Sequence, residues 1–416
     1  MPSIKSRQNE RAVILVHLQG LNDLDYNSCL KCNACTVSCP VSNVTLDFGG
    51  PKHLGPELAR LTEQQEPIDD KRIELCTLCG TCDAVCPEGV PVSSLTANVK
   101  ALHAEENGTK FRDFVLSHAE YVGKIASAFA PATNLTMKIK PARKVMQWVM
   151  GMHADRQFPV YRFNNFKRRY TKKTAETKRK VAYFTGCYAT YNQPDIGDAF
   201  VNVMKHNGID VAVPKQKCCG VPMFANGRMK EGKKNAAYNV DSLLAYVRDG
   251  YDVVVTCSSC SLSFKKEYLH YLNSAEAEEL AQHVYDANEY LRFLKEKDEL
   301  NEDFGAIGQR AGYFSPCHMK GQGIGNPAMD MLELIPGYEI RDLAADCCGQ
   351  CGTFGFKEEK YPYSMKMGES MKEAVNELDA EITVTECGMC KTQLDQLTEK
   401  KTMHPIEVLA KAYETV

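Results

Sequence analysis

The chain has 416 residues, 44% apolar and 25% charged, with a formal charge of −3, which is too long for one ordinary core and points to two to four soluble domains. No apolar run approaches the roughly 18–20 residues a bilayer-spanning helix needs. Its nineteen cysteines are an odd number in a chain expected to stay in the reducing cytoplasm, which argues against a disulfide framework and for metal or redox chemistry.

Residues 1–24 read as an N-terminal extension. Ala12–Leu21 is apolar and follows Lys5, Arg7 and Arg11, but His17 and Gln19 interrupt it and it lacks a small-residue cleavage site, so it is not read as an export signal.

Residues 25–110 are expected to form an α-helical two-cluster ferredoxin domain. "CLKCNACTVSCP" begins at Cys29 and "CTLCGTCDAVCP" at Cys76, with identical cysteine gaps and a closing proline. In such a run three thiolates serve one iron–sulfur cube and the fourth reaches its neighbour. Cys29, Cys32, Cys35 and Cys86 then hold one cubane [4Fe–4S] cluster, and Cys76, Cys79, Cys82 and Cys39 the other. Three closely spaced thiolates can wrap one face of a cube only if the backbone coils around it. Zinc knuckles are the alternative, but they leave the third cysteine and the proline of each run unexplained.

Residues 111–180 form a basic, amphipathic connection. From Lys138 to Lys180 there are fourteen Lys/Arg against Asp155 and Glu176, a local charge of +12 that leaves −15 elsewhere. "PARKVMQWVMGM" (Pro141–Met152) is expected to be a helix starting at its proline. Together with the following "RFNNFKRRYTKK" it suits the interface of an anionic membrane. A stripe of this kind also packs readily on the protein's own core. Aromatic–basic interleaving occurs in nucleic-acid binders, but nothing else here supports that class.

Residues 181–300 and 301–416 are a duplication. Cys187, Cys218, Cys219, Cys257 and Cys260 recur as Cys317, Cys347, Cys348, Cys387 and Cys390, 129–130 residues later. Flanking sequence repeats too, "VAYFTGC" answering "AGYFSPC" and "KCCGVP" answering "DCCGQC". Each copy reads as α/β, with thiols just past strand C-termini, where open sheets gather functional groups. Vicinal cysteines strain at a single zinc, so five converging thiolates fit a polynuclear iron–sulfur assembly better. Gly220 and Gly349 are expected to permit close approach or positive φ. A thiol/disulfide pair or zinc remains the alternative occupant. Cys351 lies outside the five-cysteine pattern, and His318, His53, His118 and His404 are not promoted to ligands. "GQGIGN" (Gly321–Asn326) lacks a dinucleotide context and reads as a plain loop.

These motifs resemble the cysteine-rich CCG domains of heterodisulfide reductase, whose repeat is C-x(about thirty)-C-C-G-x(about thirty-six)-C-x2-C. Here 30 and 36 residues fill those gaps in the first copy, and 29 and 37 in the second. A ferredoxin module followed by two CCG domains looks like the iron–sulfur subunits of glycolate oxidase and of anaerobic glycerol-3-phosphate dehydrogenase. "GPKHLGPELARL", "FRDFVLSHAEYVGKIASAFAP", "FPVYRFNNFKRRY" and "GTFGFKEEKYP" favour the latter family from about Asp25 onwards. The resemblance implies noncubane [4Fe–4S] clusters on the two cysteine quintets. It also implies two further subunits of that dehydrogenase complex as partners, one of them a flavoprotein. Menaquinone as acceptor, a peripheral place on the cytoplasmic face of the membrane and a role in anaerobic respiration follow from the same likeness. The chain would be the electron-transfer part of an oxidoreductase complex, with no catalytic residue of its own. Two alternatives stay open: a glycolate- or lactate-oxidising complex, and a thiol reductase that cleaves a disulfide at a CCG site.

Overall fold

The computed structural model describes residues 25–63, 71–171 and 179–415. The extension 1–24, with Ala12–Leu21, lies outside them, as do Lys172, Lys173 and Lys178 of the basic connection.

Both C-x2-C-x2-C runs fold as tight loops ending in one-turn helices, Ala34–Val37 and Thr81–Ala84. The loops coil alike, because Lys31 and Asn33 flank Cys32 at φ 59° and 67°, while Leu78 and Gly80 flank Cys79 at φ 53° and 76°. Left-handed backbone at non-glycine residues costs on the order of 1–3 kcal/mol each and persists only where the surroundings enforce it. Helix α1 (Val92–Asn107) backs both loops and is buried along most of its length. Its Lys100 Nζ donates to the Cys76 carbonyl at 2.7 Å and to Ala225 O at 2.9 Å, joining the ferredoxin module to the first α/β copy.

The connection forms a layer of four helices, α2 (Phe111–Ser117), α3 (Ala119–Ala128), α4 (Ala130–Lys138) and α5 (Lys140–Met150). Helix α5 starts at Lys140, one residue before the proline the sequence marks, and closes on Gly151 at φ 66°. No described helix is long and apolar enough to cross a membrane.

The duplicated half contains two four-stranded parallel sheets. Strands β1 (Arg179–Phe184), β2 (Ile209–Ala212), β3 (Asp252–Val255) and β4 (Val284–Asp286) lie in the order β2-β1-β3-β4. Strands β5 (Gln309–Tyr313), β6 (Tyr338–Asp342), β7 (Ile382–Val384) and β8 (Lys401–Met403) repeat it as β6-β5-β7-β8. The equivalent registers Val181↔Asp252 and Ala311↔Ile382 show the duplication in space. Short β-branched strands buried on both faces are what a helix-covered parallel sheet requires. The copies share one core, in which Tyr183, Phe200 and Val254 of the first join Tyr313, Val384 and Leu409 of the second. Helix α6 (Pro194–His206) of the first copy packs on α7 (Pro405–Glu414) of the second.

Candidate functional site

Parallel strand direction decides where the thiols go. Cys187 follows β1, Cys257 follows β3, Cys317 follows β5 and Cys387 follows β7, each two to four residues past the strand end. The vicinal pairs follow β2 and β6. Because the sheets share a core with their C-terminal edges facing the same space, the thiols of both copies line one cavity of about 350 Å³.

In the first copy the sulfur contacts run Cys187–Cys218–Cys219–Cys260–Cys257 without a break, with Cys260 Sγ 3.2 Å from Cys219 Sγ. Hydrogen bonds from Cys187 and Cys219 hold the Cys218 thiol well below its ordinary pKa, and one from Cys260 brings Cys257 down to about 7. In the second copy the run is Cys351–Cys347–Cys348–Cys390–Cys387. There hydrogen bonds from Cys347 and Cys390 depress Cys348. Cys317 stands off that run, within electrostatic reach of Cys79, Cys351 and Cys348, and burial pushes its thiol well up.

Cys351 is the residue whose placement departs from the sequence expectation. It lies outside the repeat pattern, yet its Sγ is 3.5 Å from Cys347 Sγ and it lines the cavity at φ 46°. The equivalent position of the first copy is Pro222, which also faces the cavity. The C-C-x2-C spacing was the available signal.

Gly220 and Gly349 take φ 89° and 82°. A Cβ on Gly349 would stand 2.0 Å from Ser364 O, so the turn after the second vicinal pair admits no side chain. Gly349 N–H also donates to Cys347 Sγ at 3.3 Å, the kind of hydrogen bond that sets cluster potentials.

The ferredoxin thiols divide into two groups. Cys29, Cys32, Cys35 and Cys86 surround a void of about 20 Å³, with Cys32 exposed. Cys39, Cys76, Cys79 and Cys82 lie within electrostatic reach of one another, and burial raises the Cys76 thiol to about 12. Cys79 also faces the large cavity, next to Cys317 and Cys351.

The donor chemistry and geometry fit iron–sulfur clusters better than single ions. Structural zinc takes four donors about 2.3 Å from one point, whereas each copy draws five sulfurs into a continuous run that includes a vicinal pair. Five thiols in contact, coiled loops and a glycine pressed against backbone at Gly349 suit a larger polynuclear guest.

Several supports had no sequence signal. His318 Nδ1 lies 2.7 Å from Ser259 Oγ and its Nε2 3.2 Å from Leu78 O, so one half-buried imidazole joins both copies and the ferredoxin loop. Glu120 of α3 accepts from Cys218 N at 3.0 Å. Arg156, fully buried, donates to Gly355 O at 2.8 Å and Ser364 Oγ at 2.6 Å, bracing the segment on which Gly349 rests. The other histidines are ordinary partners: His404 caps α7 and meets Thr256 O at 2.7 Å, His118 pairs with Glu231 and His53 with Glu57. "GQGIGN" is a turn whose Gln322 holds His318 O at 3.1 Å.

The 4Fe-4S dicluster domain family matches residues 25–90, and the CCG cysteine-rich domain family matches 181–265 and 311–395. The anaerobic glycerol-3-phosphate dehydrogenase C subunit of Escherichia coli (strain K12) is 34% identical over 398 residues, 94% of this chain and 100% of that protein. The B subunit of fumarate reductase (CoM/CoB) from Methanothermobacter marburgensis is 25% identical across 92% of this chain and 72% of its own length. The probable glycolate oxidase iron-sulfur subunit of Bacillus subtilis is 22% identical across 88% of each.

Proposed function

The chain belongs to the family of the C subunit of anaerobic glycerol-3-phosphate dehydrogenase, and we propose that it is the electron-transfer subunit of such a complex. It would take electrons from a flavoprotein partner that oxidises glycerol 3-phosphate and pass them towards menaquinone at the cytoplasmic face of the membrane. The observation that carries this reading is the gathering of Cys79, the whole first quintet and Cys317, Cys348, Cys387 and Cys390 of the second around one cavity.

In this reading Cys29, Cys32, Cys35 and Cys86 hold one cubane and Cys39, Cys76, Cys79 and Cys82 the other. The quintets Cys187, Cys218, Cys219, Cys257, Cys260 and Cys317, Cys347, Cys348, Cys387, Cys390 hold noncubane clusters. When bound, such clusters supply one-electron relay chemistry with potentials set by hydrogen bonding and burial. The residues fix the arrangement. Cys32 is exposed, so that end is open to a protein donor, whereas Cys79 is turned inward. Lys100, His318 and Arg156 lock the modules together, which keeps the separations between sites short and constant.

The outer face of α3–α5 supports a peripheral place on the membrane. Trp148 is 87% exposed, Val149 64% and Val145 60%, and Lys138, Lys140 and Lys144 stand exposed nearby. The tail of the basic segment contributes less than its charge implies. Arg169 is tied to Asp195 at 2.7 Å and Asp198 at 2.6 Å, and Arg168 folds over Phe163.

The test is iron, zinc and acid-labile sulfide content of anaerobically purified chain, with EPR before and after glycerol 3-phosphate is added together with the flavoprotein partner. Iron and sulfide equivalent to four clusters, reduced by that substrate, supports the reading. A zinc-bearing, iron-poor chain, or one reduced only through a glycolate- or lactate-oxidising flavoprotein, overturns it.

A further inference from the structure

The cavity between the two quintets has a character of its own. Its thiol-lined part is the space the clusters take in the reading above, which leaves a further ligand the side facing the connection. Among the described residues that line it, none is Lys or Arg. An anionic ligand, whether a sugar phosphate or a disulfide bearing acidic groups, would enter without a counter-charge at a high desolvation cost. The side facing the connection is built from Met137, Met146, Met150, Val122 and Phe158, soft and adaptable surface suited to a flat apolar ring.

The roof gives the route. Helices α3–α5, which present Val122, Met137, Met146 and Met150 inward, carry Ile125, Phe129, Leu135, Val145, Trp148 and Val149 exposed on the outside. Contiguous apolar surface on this scale marks a binding face, and the exposed lysines beside it match an anionic bilayer. A single layer of short helices therefore separates a lipid-facing surface from a cation-free cavity bordered by two sets of thiols.

We propose that the connection-facing side of this cavity, next to the clusters, takes the ring of a lipid-soluble quinone, which enters from the bilayer through the α3–α5 roof. The proposal rests on the electron-transfer reading above and locates its acceptor site. Reduction there converts the two C=O groups of the ring to two C–OH groups. It takes two electrons from the glycerol 3-phosphate oxidised at the partner's flavin and two protons from water.

The test is photolabelling of the full chain, bound to anionic vesicles, with an azido-naphthoquinone bearing a short prenyl tail. Labelled peptides are mapped with and without unlabelled naphthoquinone. Label within 115–161 or at 316–318 that is competed away, and that falls at least ten-fold in Met146→Trp with iron content retained, is the expected result. Val122→Phe, which fills the same space from another helix, serves if Met146→Trp does not fold. Label that is not competed, that maps outside the cavity, or that persists in both filled variants overturns the proposal. Competed label in a chain that glycerol 3-phosphate cannot reduce upholds the site and removes the electron-transfer reading, whereas substrate-driven reduction without cavity label removes the site alone.

Discussion

The first and second CCG copies carry the same five cysteines at a constant offset, and the same strand order presents them, yet they have different neighbours. The first quintet makes one continuous run of sulfur contacts and is buttressed by the connection, with Glu120 on Cys218 N. The second has Cys317 drawn away towards Cys79 of the ferredoxin module, and a sixth thiol, Cys351, where the first copy has Pro222. Within each vicinal pair a different member is held as the acidic thiol, Cys218 in one and Cys348, the equivalent of Cys219, in the other. Duplication copies backbone and ligand spacing; it does not copy what packs against the site. The second copy is the one built to meet the ferredoxin module, and the first is the one built under the helical roof.

Substituting the cysteines tests that difference most severely. Cys219→Ala and Cys348→Ala should each remove one cluster's worth of iron, while Cys351→Ser should alter only the EPR signature assigned to the second copy. An unchanged signature in Cys351→Ser would leave that thiol a neighbour rather than a ligand and bring the copies closer to equivalence.

The glycines come next. Gly349→Ala meets Ser364 O at 2.0 Å, whereas Gly220→Ala meets the Phe224 ring at 3.0 Å and Gly232 Cα at 3.3 Å. Positive φ alone costs the first copy about 1–3 kcal/mol, and the second should lose clearly more, read as a larger fall in the denaturation midpoint of the chain. Equal losses would show that Ser364 moves aside.

Arg156→Met should cost about 3–5 kcal/mol, because it orphans Gly355 O, Ser364 Oγ and the Gln393 side chain in a fully buried setting. The loss should fall on the second copy, with hydrogen exchange rising around 350–365 and not around 218–225.

The last effect is a pH dependence, seen only in acid. Burial lowers His404 to about 4, so the folded chain keeps it neutral while the unfolded chain protonates it near 6.5. The unfolded state then binds the extra proton, and stability falls as pH drops from about 6.5 towards about 4, by up to about 3 kcal/mol. In His404→Gln that segment of the stability–pH curve should flatten. Since His404 reaches from the second copy to Thr256 of the first, a curve that keeps its slope would remove this link between the copies from the pH response.

The duplication, the two ferredoxin-type runs, the parallel α/β plan and a helix beginning beside Pro141 were all legible in the sequence. Each depends on local spacing: gaps of two and three residues, a 130-residue offset, β-branched runs and a proline beside an amphipathic stripe. Positive φ at Gly220 and Gly349 was legible for the same reason, since a vicinal thiol pair followed by glycine leaves few backbone solutions. What only the tertiary structure decided is which groups meet across long separations. Cys351 joins the second site because the turn after Cys348 curls back on Cys347. Arg169 is neutralised because α6 brings Asp195 and Asp198 to it. The cavity exists because two sheets that share one core point their C-terminal edges into the same space. Burial, pairing and enclosure are properties of contacts, and no single segment of the chain contains them.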